Sequence, residues 1–213
     1  HHGDHTSGNG VFRPAAKKIV AHARVPELMK AAARQSQSQN APQPAPALPD
    51  STFPDTFRQD LGDEIISAKH YGPAHTGGDI VVLFERANVV HMGDLVFNRR
   101  HPFIDRPAGA SIAGWITLLE SVMKDYGADT VFIFGHAGDG WKVTGTRADL
   151  QVQRDYFSAL LDLVRAEMKA GKSREEFIRT TTPVPGFTDH GPLVERVTSA
   201  AWDELNPAPS AGA

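Results

Sequence analysis

Apolar residues along this chain recur with two different periods, and each period predicts a different kind of element. Two short apolar runs, Ile80–Phe84 and Val89–Met92, flank a polar turn, which predicts a β-hairpin buried on at least one face. Apolar residues three and four positions apart predict two amphipathic helices. The first lies between Ser111, a suitable N-cap, and Gly127, a suitable end, and the second starts at Thr146.

The N-terminal part of the chain has a less regular pattern. Residues Val11–Arg34 predict a helix, the short strand-like stretch KKIVAH and a second helix from Pro26. Residues Gln35–Asp50 combine Gln, Ser, Ala and Pro with almost no side chains to bury. They therefore predict a flexible loop or linker.

Strands and helices alternate after Asp63, which predicts an α/β fold with mixed sheets. A chain of 213 residues is of a size typical for one domain, which we expect to span residues 1–206. Residues 207–213 are rich in Pro, Ala and Gly and predict a loose C-terminal tail.

Composition and charge exclude several classes of partner. The net charge is −3, the pI is near 6.4 and no run of Lys or Arg occurs, so we expect no nucleic-acid partner. No apolar stretch approaches the ~20 residues that span a bilayer, so we expect a soluble chain without membrane anchor or signal peptide. The chain has 0 cysteines, which leaves His, Asp and Glu to hold any metal. Periplasm and cytoplasm both remain open.

Histidines and aspartates cluster in four short motifs. The chain opens with HHGDHTSGN, and three further candidates each follow or precede glycine near the end of a predicted strand. Strand ends at one edge of a sheet bring such side chains together, and glycine permits the tight turns that this needs. The candidates are His2, Asp4, His5, His75, Asp94 and His136.

The segments HHGDHTSGN, GPAHTGGD, HMGDLVFN and IFGHAGDG, in this order, resemble the metal-binding motifs of the metallo-β-lactamase-fold hydrolases. This superfamily includes glyoxalase-II-like thioesterases and zinc β-lactamases, and the match extends from His1 to about the helix after Arg147. The resemblance implies an αβ/βα sandwich with mixed β-sheets flanked by helices. It also implies two zinc ions, with iron or manganese as alternatives. The implied ligands are His2 and His75 for one ion, Asp4, His5 and His136 for the other, and Asp94 as the bridge.

The resemblance further implies a metal-dependent hydrolase with a small-molecule substrate. A hydroxide held between two zinc ions, which lower the pKa of water to roughly 7, would cleave an ester, thioester, lactone or lactam. Asp4 is the implied catalytic carboxylate, and no serine or cysteine nucleophile is needed. Asp94 takes the bridging position, which argues against the β-lactamase branch with a cysteine ligand.

The chain departs from the family pattern at its start. The family's first motif reads H-x-H-x-D-H, so its first histidine would precede His1, as would the first half of the sandwich. We therefore expect an incomplete N-terminal layer, covered by a missing N-terminal segment or by a second copy in a homo-oligomer. Two other interpretations stay open: an incomplete, non-catalytic metal-binding domain, and an iron-dependent oxidoreductase of the same fold. A truncated purification tag is a further explanation of the opening histidines.

Other polar residues near the motifs have competing interpretations. We expect His91 to point away from Asp94 and to be structural, because it lies three residues before it on a strand. The segment Phe97–Asp105 is either a pocket wall, with an arginine for an anionic group, or a solvated loop held by Phe103 and Ile104.

Two further histidines, His22 and His190, lie in no motif and are expected at the surface.

Overall fold

A six-stranded mixed sheet forms the centre of the computed structural model, which describes residues 1–38 and 47–207. Its strands lie side by side in chain order, and all neighbours are antiparallel except the parallel pair β6 and β7. They are β3 (Thr56–Asp60), β4 (Ile65–Lys69), β5 (Val81–Phe84), β6 (Val89–Asn98), β7 (Val131–Ala137) and β8 (Thr144–Gly145). The strands β1 (Val20–His22) and β2 (Ser51–Phe53) form a separate parallel pair.

Seven α-helices surround these strands within the described residues. They are α1 (Gly3–Thr6), α2 (Asn9–Phe12), α3 (Val25–Ser38), α4 (Ile112–Asp125), α5 (Arg147–Lys169), α6 (Arg174–Ile178) and α7 (Glu195–Leu205). Short 3₁₀ turns occur at Arg106–Ala108 and Thr188–His190. Within the described part of the chain, no helix is both long enough and apolar enough to cross a membrane.

The main core lies between the sheet and the helices α4 and α5. The apolar stripe predicted for α4 is buried, and its Trp115 ring packs 4.6 Å from the ring of Phe157 on α5. Both helices start where the sequence predicts: the Ser111 hydroxyl accepts a hydrogen bond from the Gly114 amide, and Thr146 forms a capping box with α5. Helix α4 ends at Asp125, two residues before Gly127, where the sequence predicts its end.

Two predicted boundaries differ from the observed ones. Helix α3 continues to Ser38, so residues 35–38 of the predicted linker are helical, since Gln is a good helix former and Ser is tolerated in a helix. Residues 39–46 and 208–213 lie outside the described residues. Strand β6 does not end at Met92 but continues to Asn98, because its second half pairs with β7.

Candidate metal centre

The structure brings all six predicted ligands together, in two overlapping groups. The first group is His2, His75 and Asp94, and the second group is Asp4, His5, Asp94 and His136. Within each group, the candidate ligand atoms all lie within 4.8 Å of one another. These groups are the two ligand sets that the resemblance implies, with Asp94 common to both.

Four separate chain segments contribute these side chains. His2 is the residue before α1, while Asp4 and His5 lie in that single helical turn. His75 lies in the connection between β4 and β5. His136 is the penultimate residue of β7, near a strand end as expected, whereas Asp94 lies in the middle of β6, so the expectation of a strand end is wrong for Asp94. They still meet, because these two strands are parallel neighbours.

The carboxylate of Asp94 is the centre of the arrangement. Its Oδ2 atom lies 3.2 Å from His5 Nε2, 3.4 Å from His136 Nε2 and 3.5 Å from His75 Nε2. Burial raises the pKa of Asp94, but the hydrogen bond from His5 and the nearby imidazoles outweigh it and hold that pKa below its ordinary value. The Oδ1 atom is buried and has no hydrogen-bond partner among the described residues.

The backbone leaves room for this buried carboxylate. The pairing of β6 with β7 is irregular on both sides of Gly93, whose φ of 51° lies in the left-handed region that favours glycine. On the neighbouring strand, a Cβ atom at Gly135 would lie 2.0 Å from Asp94 Oδ1 and 2.7 Å from the Gly93 carbonyl carbon. Gly135 is therefore the residue that makes space for the shared ligand.

The ring of His75 is oriented so that one nitrogen faces the other ligands. Its Nδ1 lies 2.7 Å from the Phe103 carbonyl oxygen, which only accepts hydrogen bonds, so Nδ1 is the donor. Burial, the largest effect, lowers the pKa of His75 and favours the neutral ring. The Nε2 lone pair of His75 is then free for a metal ion.

His2 is oriented in the same way by Asp105. Burial raises the pKa of Asp105, but hydrogen bonds from His2 and from the Ala108 amide outweigh burial and hold that pKa below its ordinary value. The side chain is therefore a carboxylate. It accepts a hydrogen bond from His2 Nε2 at 2.8 Å, which leaves the Nδ1 lone pair of His2 3.1 Å from His75 Nε2. Two lone pairs at this distance repel each other unless a proton or a cation lies between them.

These observations fit a bound metal ion. Neutral imidazoles and carboxylates are ligands for zinc, and they also suit iron and manganese. An unpartnered buried oxygen on Asp94 and two opposed imidazole lone pairs are the features that a cation would satisfy. The hydrogen bond to Asp94 raises the pKa of His5 above its ordinary value.

The sequence did not reveal the roles of Asp105 and Phe103. Both lie in an irregular segment after β6, and both orient imidazoles of the first group from outside it. The only signal for Asp105 is its place before Arg106 and Pro107, which indicates a helix N-cap and not a histidine partner. His1, which the motif leaves at a variable position, forms a third group with His2 and Asp105.

Arg99, one of the arginines in the segment Phe97–Asp105, does not face the pocket as a binding group for an anion. Its Nε lies 2.9 Å from Asp189 Oδ2, and its guanidinium stacks 4.7 Å over the Trp141 ring. Ile104 is buried as expected, whereas the Phe103 side chain is 43% exposed and lies 5.4 Å from the His2 ring. Phe103 is therefore at the rim of the metal centre and is not a core anchor.

Three other histidines differ from their predicted positions. His91 lines the same cavity as Asp94, because the irregularity at Gly93 changes the strict alternation of the strand. His22 and His190 are buried, contrary to their predicted surface positions. The His22 Nε2 atom lies 2.9 Å from the Pro54 carbonyl oxygen, a tertiary contact that no local pattern indicates.

A cavity of about 300 Å³ adjoins both ligand groups. Its polar wall includes His5, His75 and Asp94, and its apolar wall includes Met29 and Val82. Cavities of this volume are large enough for a small ligand.

Comparisons with solved structures show that other proteins share this fold. Solved structures similar to this one include a metallo-beta-lactamase from Pontibacter korlensis, with a TM-score of 0.54, 17% identity, and coverage of 74% of this chain and 65% of that chain. The sec-alkylsulfatase Pisa1 from Pseudomonas sp. has a TM-score of 0.53 and 18% identity, with coverage of 75% and 26%. The metallo-beta-lactamase DIM-1 has a TM-score of 0.53 and 20% identity, with coverage of 74% and 64%.

These likenesses show the fold alone, because none of the three identities exceeds 20%. The chain spans 65% of the length of the first of these structures. No curated protein matches the sequence significantly. The model of the metallo-beta-lactamase superfamily matches residues 1–136, which include all six predicted ligands. The chain therefore belongs to the metallo-beta-lactamase superfamily.

Proposed function

We propose that this chain provides the metal centre of a hydrolase that cleaves a small ester, thioester, lactone or lactam. The observation that carries the proposal is the position of Asp94 Oδ2 within 3.5 Å of imidazole nitrogens from three separate segments. When bound, two metal ions would lower the pKa of a water to roughly 7 and polarise the bond to be cleaved. Zinc is the proposed metal, with iron or manganese as alternatives.

The six candidate ligands have different proposed roles. His2 and His75 would hold one ion. The other ion would be held by Asp4, His5 and His136, and Asp94 would contact both ions. The Asp4 carboxylate is 58% exposed and lies 3.6 Å from His5 Nε2, so it is accessible to a substrate that enters from solvent. We assign the catalytic carboxylate to Asp4 for this reason.

The surroundings of the metal centre favour a substrate with an apolar group. The exposed Phe103 ring lies beside the rings of His2 and His75, where it can contact the acyl or alkyl part of a small molecule. One structurally similar protein is a sec-alkylsulfatase, so a sulfate ester is a further substrate class to test.

The proposal is tested by metal analysis together with a substrate panel. The protein is depleted of metal with a chelator, loaded with zinc, iron or manganese, and assayed with a thioester, a lactone, a chromogenic cephalosporin and an alkyl sulfate. We expect hydrolysis of at least one substrate by a metal-loaded form, and loss of that hydrolysis after chelation. Metal binding without hydrolysis of any class would favour a non-catalytic metal-binding domain instead.

A pair of variants identifies the site responsible. Asp94→Asn removes the shared negative ligand at nearly constant volume, and we expect it to abolish both hydrolysis and stoichiometric metal binding. Asp125→Asn is the control, because Asp125 likewise accepts side-chain hydrogen bonds, from Lys69 and Tyr71, but belongs to neither ligand group. Equal metal content in both variants would contradict the assignment.

A further inference from the structure

A second cluster of polar side chains is buried beneath the segment that follows β6. His101 and His190 are buried, and Tyr156 of α5 is fully enclosed. The His190 ring stacks on the Tyr156 ring at 4.4 Å with an angle of 9° between the planes. None of these residues belongs to the metal-ligand groups. The proposed hydrolase chemistry leaves this buried cluster without a role.

The hydrogen bonds of His101 have a defined direction. Its Nε2 lies 2.8 Å from the Pro192 carbonyl oxygen, which only accepts, so Nε2 carries the proton. Burial lowers the pKa of His101 and keeps its ring neutral, which leaves Nδ1 as an acceptor. Burial also raises the pKa of Tyr156, so its hydroxyl stays protonated and donates to His101 Nδ1 at 2.8 Å. Tyr156, His101 and Pro192 thus form one hydrogen-bonded chain.

This chain of hydrogen bonds holds the segment that orients the first ligand group. His101 lies two residues before Phe103 and four before Asp105, and residues 101–105 have no regular secondary structure. In this stretch, the Phe103 carbonyl accepts from His75, and the Asp105 carboxylate accepts from His2. Backbone hydrogen bonds hold Asp105, whose amide donates to the His75 carbonyl and whose carbonyl accepts from the Ala108 and Ala110 amides. Within the described residues, no backbone–backbone hydrogen bond holds residues 101–103, so the position of the Phe103 carbonyl depends on side-chain anchors such as His101.

We infer that His101 and Tyr156 are positioning residues for the metal centre. Their hydrogen bond anchors the start of residues 101–105, and so helps to aim the Phe103 carbonyl and, together with the backbone hydrogen bonds of Asp105, the Asp105 carboxylate at the two histidines of the first group. The inference rests on the proposed metal-binding function, because the cluster would keep the nitrogen lone pairs of these two histidines directed at the ion.

The test is Tyr156→Phe, which deletes only the hydroxyl that donates to His101. Thr198→Val is the matched control, because Thr198 is also fully buried and its hydroxyl donates to the Ile178 carbonyl at 3.0 Å, outside this cluster. Both variants lose one buried hydrogen bond, so both should be less stable in thermal unfolding. We expect only Tyr156→Phe to weaken zinc binding at the first group, by about tenfold, the low end of the effect of outer partners.

A second readout uses the metal-free protein. In the unaltered protein, ¹⁵N NMR should find the proton of the neutral His75 ring on Nδ1, as its bond to Phe103 requires. In Tyr156→Phe, we expect a mixture of the two tautomers, and in Thr198→Val no change. If Tyr156→Phe does not fold, His101→Leu replaces it, since the aliphatic side chain removes the acceptor for Tyr156 together with the donor toward Pro192.

The two readouts separate this inference from the proposed function. Zinc affinity and His75 tautomer in Tyr156→Phe that match those of Thr198→Val would overturn the inference while the metal centre stands. Absence of zinc binding by the unaltered protein would overturn the proposed function. In that case the His75 tautomer alone decides whether His101 and Tyr156 position the segment.

Discussion

The two ligand groups share Asp94 but differ in how firmly their other side chains are held. In the first group the His75 side chain is 4% exposed, and partners outside the group orient both of its imidazoles. In the second group the side chains of His5 and His136 are 39% and 32% exposed. Within residues 1–38 and 47–207, no hydrogen bond from outside the group orients either of these two rings.

This difference indicates that the first group is the preorganised part of the metal centre. A ligand whose far nitrogen is fixed by a second hydrogen bond loses little freedom when it binds a metal, and burial excludes competing water. From outside its group, the Phe97 ring stacks on the His136 ring at 4.8 Å but offers it no hydrogen bond. We therefore expect the first group to bind its metal more tightly, and the second group to exchange its metal more readily.

The largest expected effect is that of Gly135→Ala, which acts on the ligand that both groups share. The new Cβ would lie 2.0 Å from Asp94 Oδ1 and within 3 Å of Gly93 backbone atoms, so the carboxylate or the strand must move. We expect a loss of about 100-fold or more in zinc affinity at both groups, measured by competition with a chromophoric chelator. Gly10→Ala is the control, because its Cβ would meet nothing closer than 4.0 Å. Retention of both zinc ions by Gly135→Ala would refute the central position of Asp94.

Asp4→Asn separates the groups. A neutral amide is a weaker metal ligand than a carboxylate, and Asp4 belongs only to the second group. We expect the bound zinc to fall from two ions to one per chain, with hydrolysis lost, as measured by elemental analysis and activity. Loss of both ions would mean that the groups do not bind metal independently.

Asp105→Asn is the counterpart in the first group, with a smaller expected effect. The amide keeps the volume, but once its oxygen accepts from Ala108, its NH₂ faces the His2 Nε2 proton. We expect about tenfold weaker zinc binding at the first group and an unchanged second group, in the same chelator competition. An unchanged affinity at both groups would show that His2 does not depend on Asp105 for its orientation.

The smallest expected effect is that of His91→Gln. His91 faces the same cavity as Asp94, but it belongs to neither group, and its Nδ1 accepts a hydrogen bond from the Gly93 amide. Elemental analysis should therefore find the zinc content of this variant unchanged. Loss of one zinc ion would add His91 to the ligand set.

The sequence predicted the framework of this molecule better than the details of its centre. The periodic apolar residues of α4 and α5 and their caps at Ser111 and Thr146 were sufficient for two helices, because helix packing and capping are local patterns. The four motifs, through their resemblance to a metal-binding family, predicted a set of side chains that the structure brings together. Within each helix and within each motif, this information is local in the chain.

The failures concern contacts between distant segments. Gly93 suggested a strand end, but it marks an irregularity inside β6, and glycine within an apolar stretch is compatible with both. His2 meets its partner Asp105 in an irregular segment, and His190 reaches Tyr156 of α5 from a short 3₁₀ turn, so both contacts depend on tertiary packing. No local pattern reports that Asp105 lies beside His2, 103 residues away in the chain.

The central claim is that one carboxylate serves two metal ions, and anomalous X-ray scattering from zinc-loaded crystals tests it most directly. The account predicts two zinc peaks, each about 2.0–2.2 Å from a carboxylate oxygen of Asp94, with His2 and His75 at one and His5 and His136 at the other. A single peak, or peaks that leave Asp94 uncoordinated, would contradict it.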